Sequence, residues 1–413
     1  MEESLFITTP DSFDDASRTN TSFGLRALEH AHDEEVVPQI GSLEFVRQAS
    51  WAVAAIKLFK DNEKVRAIAK TPTMLANAIE ALGSKLEFTY AASVFKAKHR
   101  RGILAFNRSN SRYLWKFNDL KKKFNYVQNT YRQNVVGALQ DLGLCDGGST
   151  RFNQMQLTKL GEDLAEGFLN PQEGTKTKTV LINWVSNGSE KKDRNYMEIL
   201  SPDYCSKAEK NLLMQCLNAR VLGGNVFDPE KRIRLIKLLE TIPANEKNPW
   251  DKIRVKLKDD KLGKYHCQQI DNAIRFEKIK NCIRNLYNEC ANYMSENNSN
   301  TCSFSQFYNE NDIVKAYESF RKAVEMYRNN AQHKLPAESQ KNLLITSAYK
   351  KIEDTLRYLV EHEGRALIYN GSGVIKGSLL KKDGFLPRED SDIQNWGHPK
   401  ISQLNTLWRD CNE

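Results

Sequence analysis

Eleven cations fall between positions 92 and 132: Lys96, Lys98, Arg100, Arg101, Arg108, Arg112, Lys116, Lys121, Lys122, Lys123 and Arg132, against Asp119 alone. This stretch nets +10, more than the +9 of all 413 residues, because residues 1–91 carry −5 and residues 133–413 carry +4. Such a local excess suits a polyanion. Phosphates neutralised by Lys and Arg release condensed counterions, and that release supplies most non-specific affinity for nucleic acid. The same stretch holds Phe95, Phe106, Tyr113, Trp115, Phe117, Phe124, Tyr126 and Tyr131. Rings set between cations can stack on unpaired bases. The plainer reading makes the rings core and the cations a solvated face, and an acidic protein partner would also answer the charge. RNA stays open beside DNA, since this interleaving does not separate RNA from single-stranded DNA.

The elements that must position these groups follow directly. Tyr126 to Leu142 carries Val127, Tyr131, Val135, Val136, Leu139 and Leu142 at helical spacing. Gly143-Leu144 stops that helix, and Cys145-Asp146-Gly147-Gly148-Ser149 predicts a turn. Arg151 to Leu157, with Phe152, Met155 and Leu157 apolar, suits a short strand. Thr158 predicts the cap of a helix bearing Leu160, Leu164, Ala165 and Phe168, which ends at Asn170-Pro171. Helix, turn, short strand pair and helix is the order of a winged helix-turn-helix. The helix near 128–141 would then enter a major groove, offering Gln128, Asn129, Arg132, Gln133 and Asn134. Arg pairs with guanine and Asn or Gln with adenine in bidentate geometry, although each of these residues also suits a solvated helix face. Arg151 would grip a phosphate from the wing, and Lys121 to Lys123 would contact the backbone from the preceding helix.

This block resembles bacterial winged-helix proteins in which an "aLxxLGL" helix end precedes a wing and an "LTxxGxxLA" helix. Here the phrase reads Ala138-Leu139-Gln140-Asp141-Leu142-Gly143-Leu144, then Leu157-Thr158-Lys159-Leu160-Gly161-Glu162-Asp163-Leu164-Ala165. The layout as a whole resembles uncharacterised winged-helix proteins encoded in bacterial antiphage defence islands. The resemblance implies a DNA-sensing or assembly subunit working beside a separate ATPase or nuclease. Winged-helix folds also hold protein, which keeps a scaffold in play.

Elsewhere the chain reads as helical. Residues 43–59 form a strong helix candidate, and Thr71-Pro72-Thr73 starts another that Gly83 would close. Val180 to Val185 suits a short strand or a buried helix start, and helices are expected over 206–221 and 229–241. Three stripes at i, i+3, i+4, i+7 spacing follow: Phe276 to Met294, Ile313 to Tyr327, and Ile345 to Val360. A last helix is expected at Lys400 to Cys411. The expected architecture is therefore mainly α and multi-domain: a helical domain at 1–90, a basic winged helix-turn-helix at 91–175, a mixed connecting domain at 176–260, and a helical bundle with tail at 261–413.

Chemistry of other kinds finds little support. No apolar run reaches the roughly 18–20 residues of a membrane span, and the start, Met1-Glu2-Glu3-Ser4-Leu5, is not a secretory signal. Eight cysteines are too sparse for a disulfide scaffold, and no pair has the C-x2-C spacing of a zinc site. His266-Cys267 with Cys282 and Cys290 is the closest metal-like grouping. His30 and His32 beside Asp33 to Glu35 read more simply as an exposed helix end. Gly371 to Ser378 lacks the Gly-Lys-Ser/Thr of a phosphate loop, and no hydrophobic strand clearly precedes it. No G-x-S-x-G nucleophile elbow is present. The sequence thus reads as a cytoplasmic, non-enzymatic binder of DNA, double-stranded for preference. Its C-terminal helical region would hold other protein subunits, and it would use no cofactor, metal or membrane. A nuclease with a site assembled from scattered residues is the enzymatic alternative.

Overall fold

The computed structural model describes residues 25–90, 116–121, 131–146, 151–171, 176–187, 198–219, 228–243, 246–296, 301–330, 352–363, 367–369, 371, 373–376 and 395–412. Over these residues the chain is mainly helical. In chain order the elements are α1 (Arg26–Val36), α2 (Val46–Asp61), α3 (Glu63–Ala69), α4 (Pro72–Tyr90), α5 (Phe117–Leu120), α6 (Tyr131–Asp141), β1 (Cys145–Asp146), β2 (Gln156–Leu157), α7 (Lys159–Leu169), α8 (Thr177–Asn187) and α9 (Lys207–Asn218). There follow α10 (Glu230–Leu239), α11 (Pro249–Leu257), α12 (Lys261–Glu296), β3 (Thr301–Cys302), α13 (Phe304–Tyr308), α14 (Asn311–Asn330), α15 (Ile352–Glu363), β4 (Leu367–Tyr369), β5 (Val374–Lys376) and α16 (Pro399–Asn412). Two compact units result, one of Met1–Asp33 with Cys267–Gln394 and one of Glu34–His266 with Asn395–Glu413. Among the described residues no helix is long and apolar enough to cross a membrane.

The unit of Glu34–His266 and Asn395–Glu413 is arranged around α2. Val46 to Ile56 and Leu58 are all buried, so this helix is enclosed on every side rather than along one stripe. Ala49, Ala52, Ala54 and Ala55 keep it slim, and α3, α4, α7 and α9 pack against it. Its start lacks a capping side chain of its own, since Phe45 holds the N-cap position. The free amides are met from elsewhere: Asp410 of α16 accepts from the Val46 N–H at 2.8 Å, and Gln48 Oε1 accepts from Glu44 N at 2.7 Å. Gln403 and Lys400 of α16 donate to carbonyls of the entry loop, Gln403 to Gly41 and Leu43 at 3.0 and 2.8 Å.

In the first turn of α2, Arg47 is buried to 2% exposure, and its partners explain how that is tolerated. Its guanidinium lies 3.2 Å from Glu209 on α9, donates to the Ile199 carbonyl at 2.5 Å and to the Tyr204 carbonyl, and covers the Phe168 ring of α7 at 4.8 Å. Glu209 is also the third residue of α9 and closes a capping box with Ser206. Trp51, a turn further on, donates to the Leu200 carbonyl at 3.1 Å. Gly83 does not end its helix. It lies within α4, where any Cβ would overlap the Trp51 ring and crowd the Leu200 carbonyl.

The end of α9 is finished by a second buried arginine. Arg232 on α10 donates to the carbonyls of Leu217 and Ala219 at 2.9 and 3.1 Å, which closes the C-terminus of α9 where a cation is favoured. It also reaches Gln39 Oε1 at 2.8 Å. Gln39 has a left-handed backbone, φ 71°, and gives its own N–H to Glu34. Burial lowers the Arg232 pKa to about 10, so it stays charged at neutral pH. His266 Nε2 lies 2.9 Å from the carbonyl of Val36, which only accepts, so Nε2 carries a proton, and burial, which lowers the ring's pKa to about 4, keeps it neutral at pH 7.

In the unit of Met1–Asp33 and Cys267–Gln394, α12, α14 and α15 bury the predicted stripes. Phe276, Ile279, Ile283, Leu286, Met294, Ile313, Phe320, Tyr327, Leu356 and Leu359 share one core. Ile345, Ala348 and Tyr349 of the third stripe lie outside the described residues. His32 is a core residue and not an exposed helix end: its Nε2 is 2.7 Å from the Tyr327 hydroxyl and its ring stands 5.0 Å from Phe276. Lys280 ties α12 to Glu29 and Glu277 at 2.5 and 2.7 Å. The glycine-bearing segment near 371 is a hairpin turn between β4 and β5, with φ +89° at Gly371, so a strand does precede it. β3 completes an antiparallel sheet in the order β3-β5-β4. Val180–Val185 belongs to helix α8.

Two outcomes follow. Replacing Arg47 with Met strands Glu209 in the core, and an unpartnered buried charge costs about 3–5 kcal/mol, read as a lower urea midpoint. His266 titrates in the opposite sense to a salt bridge: burial first, then the Lys231 and Arg234 cations, lower its pKa from 6.5 to about 4. The unfolded chain thus takes up the proton first, so this stability is complete above pH 6.5 and disappears towards pH 4, by about 3 kcal/mol. A His266→Gln variant keeps the amide donor and should lose that part of the slope. Identical pH profiles for both proteins would refute the assignment.

Candidate nucleic-acid interface

The segment from α6 to α7 is joined by backbone. α6 ends in a Schellman turn: Gly143, with φ +70°, donates to Gln140 O at 3.0 Å and Leu144 donates to Leu139 O at 2.8 Å. β1 and β2 then pair antiparallel, Cys145 opposite Leu157 and Asp146 opposite Gln156. Thr158 closes the loop. Its N–H donates to Leu144 O at 3.1 Å, its hydroxyl donates to Gly143 O at 2.6 Å, and the same oxygen accepts from Gly161 N at 3.2 Å to cap α7. Gly161 is required because its Cα lies against the Leu144 carbonyl, which any Cβ would overlap. The Gly-Leu and Leu-Thr-x-x-Gly words of the sequence are therefore one clamp between the end of α6 and the start of α7.

The arm leading out of the turn is tied down. In place of a strand over 151–157 there is a single 3-10 turn at Phe152–Gln154, followed by the two residues of β2. Phe152 and Met155 are buried. Asn153 accepts from the N–H and hydroxyl of Thr73 at 3.2 and 2.6 Å, which pins the turn to the start of α4. α4 also packs against α5 and α6, so one helix supports all three of these segments. α7 is anchored on α2 by Phe168 under Arg47, and by Lys57, 3.3 Å from both Glu166 and Asp61.

Of the predicted contact residues, three are placed with their side chains. Lys116 is exposed just before α5, Lys121 follows α5 half-buried with its Nζ 5.3 Å from the centre of the Phe117 ring, and Arg151 is exposed at the 3-10 turn. Arg132, Gln133 and Asn134 stand on the first turn of α6, but their side chains are not among those described. Lys96, Lys98, Arg100, Arg101, Arg108, Arg112, Lys122, Lys123, Gln128 and Asn129 lie outside the described residues altogether. Phe117 is a core ring, edge-on to Trp184 at 5.4 Å, and is not offered to bases. The outer surface of α7 carries Glu162, Asp163 and Glu166, with Lys159 paired to Asp163 at 2.7 Å.

Burial suppresses ionisation at several of the cysteines. All eight thiols are free, and burial raises Cys145 and Cys205 to about 12 and Cys216 to about 11. Among the described residues no group of three His, Cys, Asp or Glu side chains is arranged to hold a metal ion. The residues invisible to sequence reasoning are Arg47, Glu209, Arg232 and Asp410. Only Glu209 carried a local signal, as the fourth residue of a Ser-x-x-Glu capping box.

Gly161→Ala should cost about 2–4 kcal/mol, since α7 must move off the Leu144 carbonyl or strain its first turn. Lys159→Ala, at an exposed position two residues earlier, should leave the melting temperature unchanged. Thermal melts of the two variants beside the wild type decide it. Compared with models of protein families, with curated proteins and with solved structures, the chain matches none.

Proposed function

We propose that this protein is a non-enzymatic, cytoplasmic DNA-binding subunit that engages duplex DNA through a winged helix built from α6, the β1–β2 ladder and α7. The observation that carries the reading is the charge: +10 within 41 residues that lead directly into α6. Three further features support it. The helix, two-stranded ladder and helix occur in winged-helix order, with α6 in the recognition position. The clamp at Gly143, Thr158 and Gly161 holds that order rigidly. The cation-bearing segments at α5, at α6 and at Arg151 converge on α4.

The acids of α7 set the direction of approach. A duplex is favoured on the side of α6 and Arg151 and disfavoured along Glu162, Asp163 and Glu166. In this reading Arg132, Gln133 and the neighbouring Gln128 and Asn129 meet base edges, while Lys116, Lys121 to Lys123 and Arg151 meet phosphates. Partner proteins, in the manner of a defence-type complex with a separate ATPase or nuclease, would be held through the C-terminal helical region.

The test is binding of labelled duplex, single-stranded DNA and RNA at two or more salt concentrations, with a Lys121→Ala/Lys122→Ala/Lys123→Ala/Arg132→Ala variant alongside. Duplex should bind tightest, with log K falling linearly in log salt. The variant should bind at least about tenfold more weakly, and its slope should flatten by about one for each phosphate it no longer neutralises. Failure of all three nucleic acids to bind at low salt overturns the proposal and leaves a protein-docking role for the basic stretch.

A further inference from the structure

Three of the large apolar side chains exposed to solvent among the described residues fall within eleven positions: Val255 and Leu262, each 67% exposed, and Tyr265, 51% exposed. They flank the corner where α11 turns into α12. Leu262 and Tyr265 are three apart on α12 and so share a face. Their exposure is not the result of a loose corner. Lys258 N donates to Val255 O at 3.1 Å, Asp260 Oδ1 accepts from Gly263 N at 2.7 Å, and Lys264 N donates to Asp260 O at 2.9 Å. Gly263 rests against the Leu257 carbonyl so closely that a Cβ would overlap it, while Ile253 and Leu257 are buried beneath. A corner so held keeps the apolar surface of Leu262 and Tyr265 in water, where a partner can cover it.

The rim defines the partner. From 251 to 265 there are six cations and three acids, and Lys258, Lys261 and Lys264 are all exposed beside the apolar pair. Of the acids, Asp260 is engaged in capping Gly263. We infer that this corner docks an acidic amphipathic segment of another protein, whose apolar side chains cover Leu262 and Tyr265 while its carboxylates meet Lys258, Lys261 and Lys264. A nucleic acid would gain little from Val255 and Leu262, and a bilayer would have to receive Asp259 and Asp260 at the apex. The surface uses none of the residues assigned to DNA, so the two readings stand or fall separately.

The experiment uses the full chain and a fluorescent 18-residue synthetic helix with Leu along one face and Glu on its flanks. The same helix with Lys in place of Glu serves as the control. Fluorescence anisotropy should give a Kd of about 10–100 µM for the acidic helix, weaker in high salt, and none for the Lys helix. A Leu262→Glu/Tyr265→Glu variant that melts like the wild type should lose at least about tenfold in affinity. Charge reversal by Lys258→Glu/Lys261→Glu should weaken the acidic helix and admit the Lys helix. The proposal is overturned if the acidic helix fails to bind, or if it binds wild type and both variants alike. It is also overturned if phosphatidylserine vesicles or oligo(dT), rather than the helix, lose binding in the Leu262→Glu/Tyr265→Glu variant.

Discussion

A guanidinium enclosed in a helical core must find every hydrogen-bond acceptor it needs there, and around Arg47 that requirement organises the unit that contains it. Desolvating a charge is costly unless paired and hydrogen-bonded groups replace water. Here the replacements come from four separate places along the chain: the α9 carboxylate of Glu209, the carbonyls of Ile199 and Tyr204, and the ring of Phe168. None of these can move far without stranding the charge. The ion pair therefore fixes where α9, α7 and the 3-10 turns at Glu198–Leu200 and Pro202–Tyr204 stand against α2, and the alanine-rich surface of α2 lets them come close enough to do so.

The same economy recurs at the helix ends. Val46, Leu217, Ala219 and Val36 each expose a backbone group that no neighbouring side chain satisfies, and Asp410, Arg232 and His266 reach them from distant parts of the chain. Because α16 supplies Asp410, Gln403 and Lys400, the C-terminal helix completes the start of a helix buried along nearly its whole length. Where the chain does cap locally, at Thr158 and Ser206, the cap also holds a second element: Thr158 binds Gly143, and Ser206 binds the Gly167 carbonyl at 3.1 Å.

How much of this could be read in the sequence depends on the range of the interaction. Stripes such as Phe276 to Met294 and Ile313 to Tyr327 were legible because burial along one helix face imprints a 3.6-residue period on neighbouring positions. Thr158, Ser206 and Gly143 were legible for a similar reason, since caps act within four residues. The pairs Arg47–Glu209 and Val46–Asp410 span 162 and 364 positions and leave no local trace. Gly83 misled because glycine both ends helices and admits close neighbours; only the Trp51 ring tells which. His32 misled because the acids after it suggest water, whereas Tyr327 and Phe276 enclose it. β3, β4 and β5 escaped because two or three residues are too few to show alternation. For the candidate site, the charge and the order of elements were legible. Of its side chains, Lys116, Lys121 and Arg151 are placed in the structure.

The thiols carry a consequence of their own. With Cys145 and Cys205 raised to about 12, roughly one thiol in 10⁵ of each is ionised at pH 7, and oxidants and alkylating agents attack only the ionised form. Cys145 and Cys205, two of the eight cysteines, thus offer electrophiles far less sulfur than composition suggests. At these positions the native fold is itself the antioxidant: the sulfur becomes vulnerable when the chain opens, so chemical ageing at Cys145 and Cys205 would follow the rate of unfolding rather than the concentration of oxidant.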